Sequence, residues 1–208
     1  MGNAIITPSV PIILASASKI RYDILKKTGI EFSVVISEVN EEKLKKKLFN
    51  KSINEIAILL ASEKAFSVSK KNPNNYVIGA DQICNLNNKI FSKPNNMSNA
   101  VKQLKELSGK THKQTSGICL YFNSKLIWSC VEEAELTMYK LKEKEIIEYL
   151  KIDKPFNSCG SYKYESRGVH LFSRVTGQNE TIQGLPLIRL LEQMRKNKIY
   201  SINNMRTD

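Results

Sequence analysis

Long apolar runs are missing from this sequence. No stretch approaches the roughly 18 uninterrupted apolar residues that a bilayer-spanning helix requires, which argues against a membrane partner. No basic segment precedes the N-terminal apolar run, and Pro8 and Pro11 interrupt it, so no signal peptide is expected. Cysteine is sparse and scattered (Cys84, Cys119, Cys130, Cys159), without a CxxC and without a histidine at metal-ligand spacing. That pattern suits reduced, mostly buried thiols and a cytoplasmic location. His112 and His170 stand alone, with no HExxH around them, and both read as structural. Arginine is scarce as well: 26 of the 32 cationic side chains are lysine. The net charge of +12 invites a nucleic-acid partner, yet planar bidentate phosphate recognition favours arginine, and the lysines are dispersed over many segments. A compositional bias explains them better than a binding stripe. There is no Walker P-loop, no GxGxxG and no nucleophilic Ser or Cys triad pattern.

What is present alternates between strand-like and helical patterns. Ile12, Ile13 and Leu14 form a short buried strand that enters Ala15-Ser16-Ala17-Ser18 and then a helix carrying Ile20, Ile24 and Leu25, stopped by Gly29. A β-type run covers 32–36, and the charged segment 41–50 begins a helix or a loop. Residues 53–68 give the clearest helix, with Ser52 at its start and Asn72-Pro73 beyond its end. A strand over 76–80 runs into Asp81. Two hairpin arms, 83–86 and 89–91, follow, joined by Asn87-Asn88, which tolerate the left-handed conformation of a two-residue turn. A helix from Ser98 to Gly109, β-rich stretches over 115–122 and 126–139, a helix over 142–150, a segment at 159–164, a strand near 169–175 and a final helix with Pro186 at its first position complete the order. Without repeat or linker, residues 1–198 read as one α/β domain and 199–208 as a frayed tail.

Four features bear on chemistry. A strand ending in small residues and opening a helix offers free N–H groups and a positive helix end, and Ser16, Ser18 and Arg21 could add donors to a phosphate there. Taken alone, Ser18 reads more simply as a helix cap. Lys64 falls inside the apolar stripe of its helix, so it either snorkels outward or points at an anion. Asp81 follows Gly79-Ala80, small residues that let another group come close; it is a turn-closing residue or a ligand-site carboxylate at a strand's end. If Asn87-Asn88 form a two-residue turn, counting back pairs Leu86 with Lys89, Cys84 with Phe91 and Gln82 with Lys93, which sets Lys93 beside Asp81. Glu41 lies in the mixed-charge run EEKLKKK, where a solvated face is the default reading.

Taken together, ILASASKIR, VNEEK, SEKA, IGADQI, SKP, LSGKTH and GLPL resemble, in order and spacing, the Maf family of nucleoside triphosphate pyrophosphatases from about Ile12 to Met194. The resemblance implies an α/β fold with an elongated mixed sheet, flanking helices and a central cleft, usually as a homodimer. It further implies hydrolysis between the α- and β-phosphates with a divalent metal cation, Mg²⁺ or Mn²⁺. Carried over by position, Ser16, Ser18, Arg21, Lys64 and Lys93 are phosphate binders. Glu41 and Asp81 are the acidic pair at the metal and the attacking water, and Asp81 is the general base.

Asp81-Gln82 and Gly160-Ser161-Tyr162-Lys163-Tyr164-Glu165 are similar to the members acting on 7-methyl-GTP, and Ile20, Gln82 and Glu165 match the positions tied to base choice. The alternatives are the same reaction on dTTP, UTP or related pyrimidine nucleotides, or a nucleotide- or nucleic-acid-binding regulator of cell division. The sequence departs from the family pattern at Asn40, Ser92, Ser166-Arg167 and Ile20. These departures bear on the base assignment more than on the hydrolytic residues.

Overall fold

A computed structural model describes residues 5–201, apart from 42, 45–47 and 49, together with the backbone of 205 and 206. The chain forms two compact units. The first comprises Met1–Asp81, Ser116–Glu132 and Gly184–Asp208, and the second Gln82–Thr115 and Glu133–Gln183. No helix among the described residues is long and apolar enough to cross a membrane.

In the first unit, β1 (Ile5–Ile6) pairs antiparallel with β9 (Met205–Arg206). β2 (Ile12–Leu14) runs parallel to both β3 (Ser33–Val34) and the start of β4 (Tyr76–Leu86). All three β2 residues are buried, as a strand covered on both faces demands. Between β2 and β3 lies α1 (Lys19–Lys26), and between β3 and β4 lies α2 (Ile53–Lys71). A capping box sets the start of α2: the Ser52 hydroxyl accepts from Glu55 N–H (3.3 Å), and the Glu55 carboxylate accepts from Ser52 N–H (2.9 Å).

The inward face of α2 sets the small residues Ala57, Ala61 and Ala65 among larger ones, with Ala61 and Ala65 in a core shared with Ile13, Val77 and Cys119. Their size lets the helix backbone approach the sheet closely. A Cβ on Gly79 would collide with the Ala61 carbonyl oxygen, and one on Gly117 would lie 2.5 Å from the Ala57 carbonyl. α6 (Leu187–Lys196) buries Leu190 and Met194 with Ile24, Leu25, Ile78, Ile118 and Leu120. Ile199 is fully buried in that same cluster, and its carbonyl accepts from the Ser9 N–H and hydroxyl.

The second unit holds the hairpin of β4 with β5 (Lys89–Phe91), then α3 (Met97–Leu107), α4 (Glu143–Asp153), β8 (Phe172–Thr176) and the short α5 (Asn179–Ile182). Its core includes Leu104, Leu107, Leu136, Ile146, Leu150, Tyr162 and Phe172. β6 (Thr111–Phe122) and β7 (Lys125–Met138) contribute residues to both units and are joined by Asn123-Ser124, both at positive φ. The strand order is β3-β2-β4-β6-β7-β8, with β5 against β4, making a seven-stranded mixed sheet.

The hairpin register agrees with the sequence count: Leu86 faces Lys89 and Cys84 faces Phe91, with Asn87 and Asn88 at φ of 50° and 66°. Three expectations need correction. β4 does not end before Asp81 but continues to Leu86, with β6 as its neighbour in the sheet and β5 paired to it from Cys84 to Leu86. Residues 167–171 form a 3₁₀ turn, and the strand begins only at Phe172. Pro186 caps α6 one position ahead of its first helical residue. The expected helix or loop over 41–50 lies partly outside the described residues; Glu41, Lys43 and Leu44 are helical.

Candidate active site

In the first unit, β2 gives way at Ala15 to the turn expected to hold phosphates. The Ser16 hydroxyl oxygen accepts from Ser18 N–H (3.2 Å) and from the Arg21 guanidinium (Nη1, 3.4 Å). The Ser18 hydroxyl caps α1 by accepting from Arg21 N–H (3.4 Å). Capping thus takes the side chain of Ser18 and the N–H of Arg21, while the N–H groups of Lys19 and Ile20, in the first turn, have no intrahelical acceptor. Arg21 is buried, and its Nε donates to the Gly184 carbonyl at 2.8 Å. No local pattern points to Gly184, because it lies 163 residues from its partner.

The second constellation explains the lysine inside an apolar stripe. Side chains alternate along β4, so Asp81 shares a face with Gly79, the residue against which α2 is packed. The close approach of α2 brings Lys64 Nζ to 2.6 Å from Asp81 Oδ1 and 2.8 Å from Glu41 Oε1. Lys64 and Asp81 are both buried, whereas the Glu41 side chain keeps 40% of its exposure. Lys64 therefore points inward at anions, and those anions are the protein's own carboxylates. One cation between two carboxylates leaves the group one negative charge in excess. Asp81 Oδ2 is buried without a hydrogen-bond partner among the described residues. An acceptor oxygen kept from water costs about 1–3 kcal/mol unless something binds it.

Both constellations lie past the stretch over which β2 and β4 pair. β2 and β4 are parallel with Leu14 beside Ile78, and Ala15 N–H donates to the Ile78 carbonyl at 2.8 Å. Ser16 lies two residues past Leu14 and Asp81 three past Ile78, beyond the carboxyl end of β2, where open α/β sheets bind ligands.

The remaining candidates are spread differently. Ile20, half-buried on α1, packs on the first unit's core. Gln82, Lys93 and Glu165 belong to the second unit. The Gln82 amide donates to the Ile182 carbonyl. Lys93 is exposed, two residues past the end of β5, and the hairpin ladder stops before it, at Phe91. Glu165 is exposed in a turn over residues 163–168; partial desolvation raises its carboxyl above the ordinary range, with Asp153 adding to the rise and Lys163 opposing it.

One arrangement escaped sequence reasoning. Tyr162, fully desolvated, receives a hydrogen bond from Gln114 Nε2 (2.6 Å) and lies 2.8 Å from His112 Nε2. Burial lowers His112 to about 4, so the imidazole is neutral. The alternation of His112 and Gln114 on one face of β6 is the only sequence signal for it.

Among the described residues no three His, Cys, Asp or Glu side chains gather as a metal site. Glu41 and Asp81 nevertheless fit a hard divalent cation, which typically takes one or two carboxylates and completes its shell with water and substrate phosphate. The unpartnered Asp81 Oδ2 is the feature that matches.

The family model described as Maf-like protein matches residues 11–197. A nucleoside triphosphate pyrophosphatase of Legionella pneumophila (strain Paris) is 44% identical over 92% of this chain and 96% of its own length. A 7-methyl-GTP pyrophosphatase of Brucella abortus is 38% identical over 91% of this chain and 98% of its own. Among solved structures, a HAM1 protein from Coxiella burnetii matches with a TM-score of 0.45 at 11% identity, covering 88% of this chain and 99% of that one. With a family model spanning nearly its whole length and relatives this similar from end to end, the chain belongs to the Maf family.

Proposed function

We propose that this protein is a hydrolase that cleaves the α–β phosphoanhydride of a nucleoside triphosphate, releasing a nucleoside monophosphate and pyrophosphate, with 7-methyl-GTP as preferred substrate. The observation that carries the reaction is the ion group of Glu41 with the buried Lys64 and Asp81, with its unpartnered carboxylate oxygen, beyond the carboxyl end of β2. Names borne by relatives 38–44% identical along nearly the whole chain support it.

In this reading Asp81 Oδ2 accepts a proton from a water molecule aimed at the anhydride phosphorus. Lys64, bonded to Oδ1, fixes that carboxylate in direction. As water adds, the bridging P–O bond breaks and pyrophosphate leaves. Helix α1 and Arg21 hold phosphate oxygens through N–H donors already in place, so little reorganisation accompanies the charge shift. Lys93 supplies a further cation for the phosphates. Mg²⁺ or Mn²⁺ held by Glu41 and Asp81 would neutralise charge developing on the phosphoryl oxygens.

The choice of base rests on Gln82 and Glu165, with Ile20 at the edge. A carboxylate accepts the N1–H and exocyclic N–H donors of a guanine edge and favours the positive charge of a 7-methylated ring. The name of the Brucella relative favours this substrate over pyrimidine nucleotides. From the family resemblance we further propose a homodimer acting in the cytoplasm.

The test is pyrophosphate release with Mg²⁺ or Mn²⁺ from 7-methyl-GTP, GTP, dTTP, UTP and CTP, with Asp81→Asn as control. Highest kcat/KM on 7-methyl-GTP and loss in the variant are the expected results. Preference for dTTP or UTP moves the assignment to the pyrimidine group. No release from any nucleotide, or equal release by the variant, overturns the enzymatic reading and leaves a binding protein.

A further inference from the structure

The turn that carries Glu165 is anchored from one point beneath it. The Lys163 carbonyl accepts from the N–H groups of Ser166 (3.2 Å) and Gly168 (3.1 Å), folding residues 163–168 back on themselves. Gly168 is required for this, since a Cβ there would collide with the Lys163 carbonyl. Asp153, at the end of α4, holds the turn on both sides of Glu165. Its carbonyl accepts from Lys163 Nζ (2.7 Å), and its Oδ1 accepts from the Ser166 hydroxyl (3.1 Å) and lies 3.6 Å from Arg167 Nη1. The Asp153 side chain is 2% exposed, although its partner Arg167 is largely in solvent. One turn earlier on α4, the Tyr149 hydroxyl accepts from Lys163 N–H at 2.9 Å. Asp153 Oδ2 is buried without a partner among the described residues. A buried carboxylate with one oxygen unsatisfied is a poor stabilising device and a rigid one.

We propose that Asp153 is a positioning residue for nucleotide selection: it fixes residues 163–168 so that the Glu165 carboxylate is presented in one orientation to the base. The inference rests on the proposed role of Glu165. Asp153 itself touches no substrate; it acts by removing the alternative conformations of a short exposed turn. Displacing a recognition group by about 1 Å costs up to about 100-fold in the step that depends on it.

The experiment compares Asp153→Ala, Asp153→Asn, Ser166→Ala, Glu165→Gln and the double variant Asp153→Ala/Glu165→Gln. The readouts are kcat and KM across the nucleotide panel and hydrogen exchange of the 163–168 amides. In Asp153→Ala the preference for the best nucleotide over the poorest falls by about 10- to 100-fold. The fall comes through KM, with kcat changed less than about threefold, and the turn's amides exchange faster. Asp153→Asn, which keeps an acceptor for Ser166, retains most of the preference, and Ser166→Ala is intermediate. The double variant is no less selective than Glu165→Gln alone, because both act on one group.

Unchanged selectivity in Asp153→Ala beside lost selectivity in Glu165→Gln overturns the role of Asp153 and spares that of Glu165. Additive losses in the double variant also overturn it. Wild-type selectivity in Glu165→Gln overturns the reading of Glu165, and the positioning role with it, whatever the exchange rates show.

Discussion

Removing the charge of Lys64 tests whether the buried ion group is held as described. Lys64→Met keeps the apolar stem along α2 and deletes the ammonium that lies 2.6 Å from Asp81 and 2.8 Å from Glu41. The two carboxylates should respond unequally. Glu41, 40% exposed, turns to water and contributes little. Asp81, 6% exposed at its side chain and already short of one partner, is left as an unpaired buried anion. Breaking a buried pair from one side costs about 3–5 kcal/mol; with most of the penalty on one group, we expect about 3–4 kcal/mol at pH 8. For a chain of this size that lowers Tm by about 10 °C. Adding Asp81→Asn to Lys64→Met should recover about 2 kcal/mol, since no net charge then remains buried beside α2. The assay is equilibrium unfolding in urea at pH 8, with a chelator present throughout. A loss below about 1 kcal/mol at pH 8, or no recovery in the double variant, would refute the reasoning.

Gly79→Ala should destabilise by about 2–3 kcal/mol in urea unfolding and depress activity, because the new methyl meets the α2 backbone and drives Lys64 away from Asp81; a neutral outcome would mean that the helix shifts freely. His112 makes the fold acid-sensitive. Its folded value of about 4 lies below the unfolded 6.5, so the unfolded chain binds the proton first and stability falls as pH drops through that window. The loss is about 2 kcal/mol between pH 8 and pH 5, measured by urea unfolding and absent in His112→Gln. Arg21→Lys should raise KM about tenfold in steady-state kinetics with a smaller change in kcat, since an ammonium cannot span the Gly184 carbonyl and the Ser16 hydroxyl as the guanidinium does.

Local chemistry made much of this legible in the sequence. Ser52 with Glu55 announces the start of α2, and the asparagine pair at 87–88 sets a hairpin register to the residue. Lys64 stood out because burying a charge in an apolar stripe demands a partner. Which partner it finds depends on how closely α2 sits on β4, a matter of Gly79, Ala61 and Gly117, residues far apart in sequence. The length of β4 was misread because Gly79-Ala80-Asp81 looks like a strand's end, while β6, its neighbour in the sheet, lies outside any local window. Tyr162 with His112 and Asp153 with Ser166 stayed hidden for the same reason: single polar residues carry no periodicity, and only the fold brings them together.

The bond from Arg21 to the Gly184 carbonyl has a consequence in time. The guanidinium is made early, and its acceptor follows 163 residues later. Ser9, which donates to Ile199, waits longer still. At about 5–20 residues per second a ribosome takes on the order of ten to thirty seconds to cover that interval. Throughout it, Arg21 Nε lacks its Gly184 acceptor, and Ile24 and Leu25 lack the Leu190 and Met194 that later cover them. The segment synthesised first is among the last to be completed, so a nascent chain stalled before residue 184 presents the apolar face of α1 to chaperones.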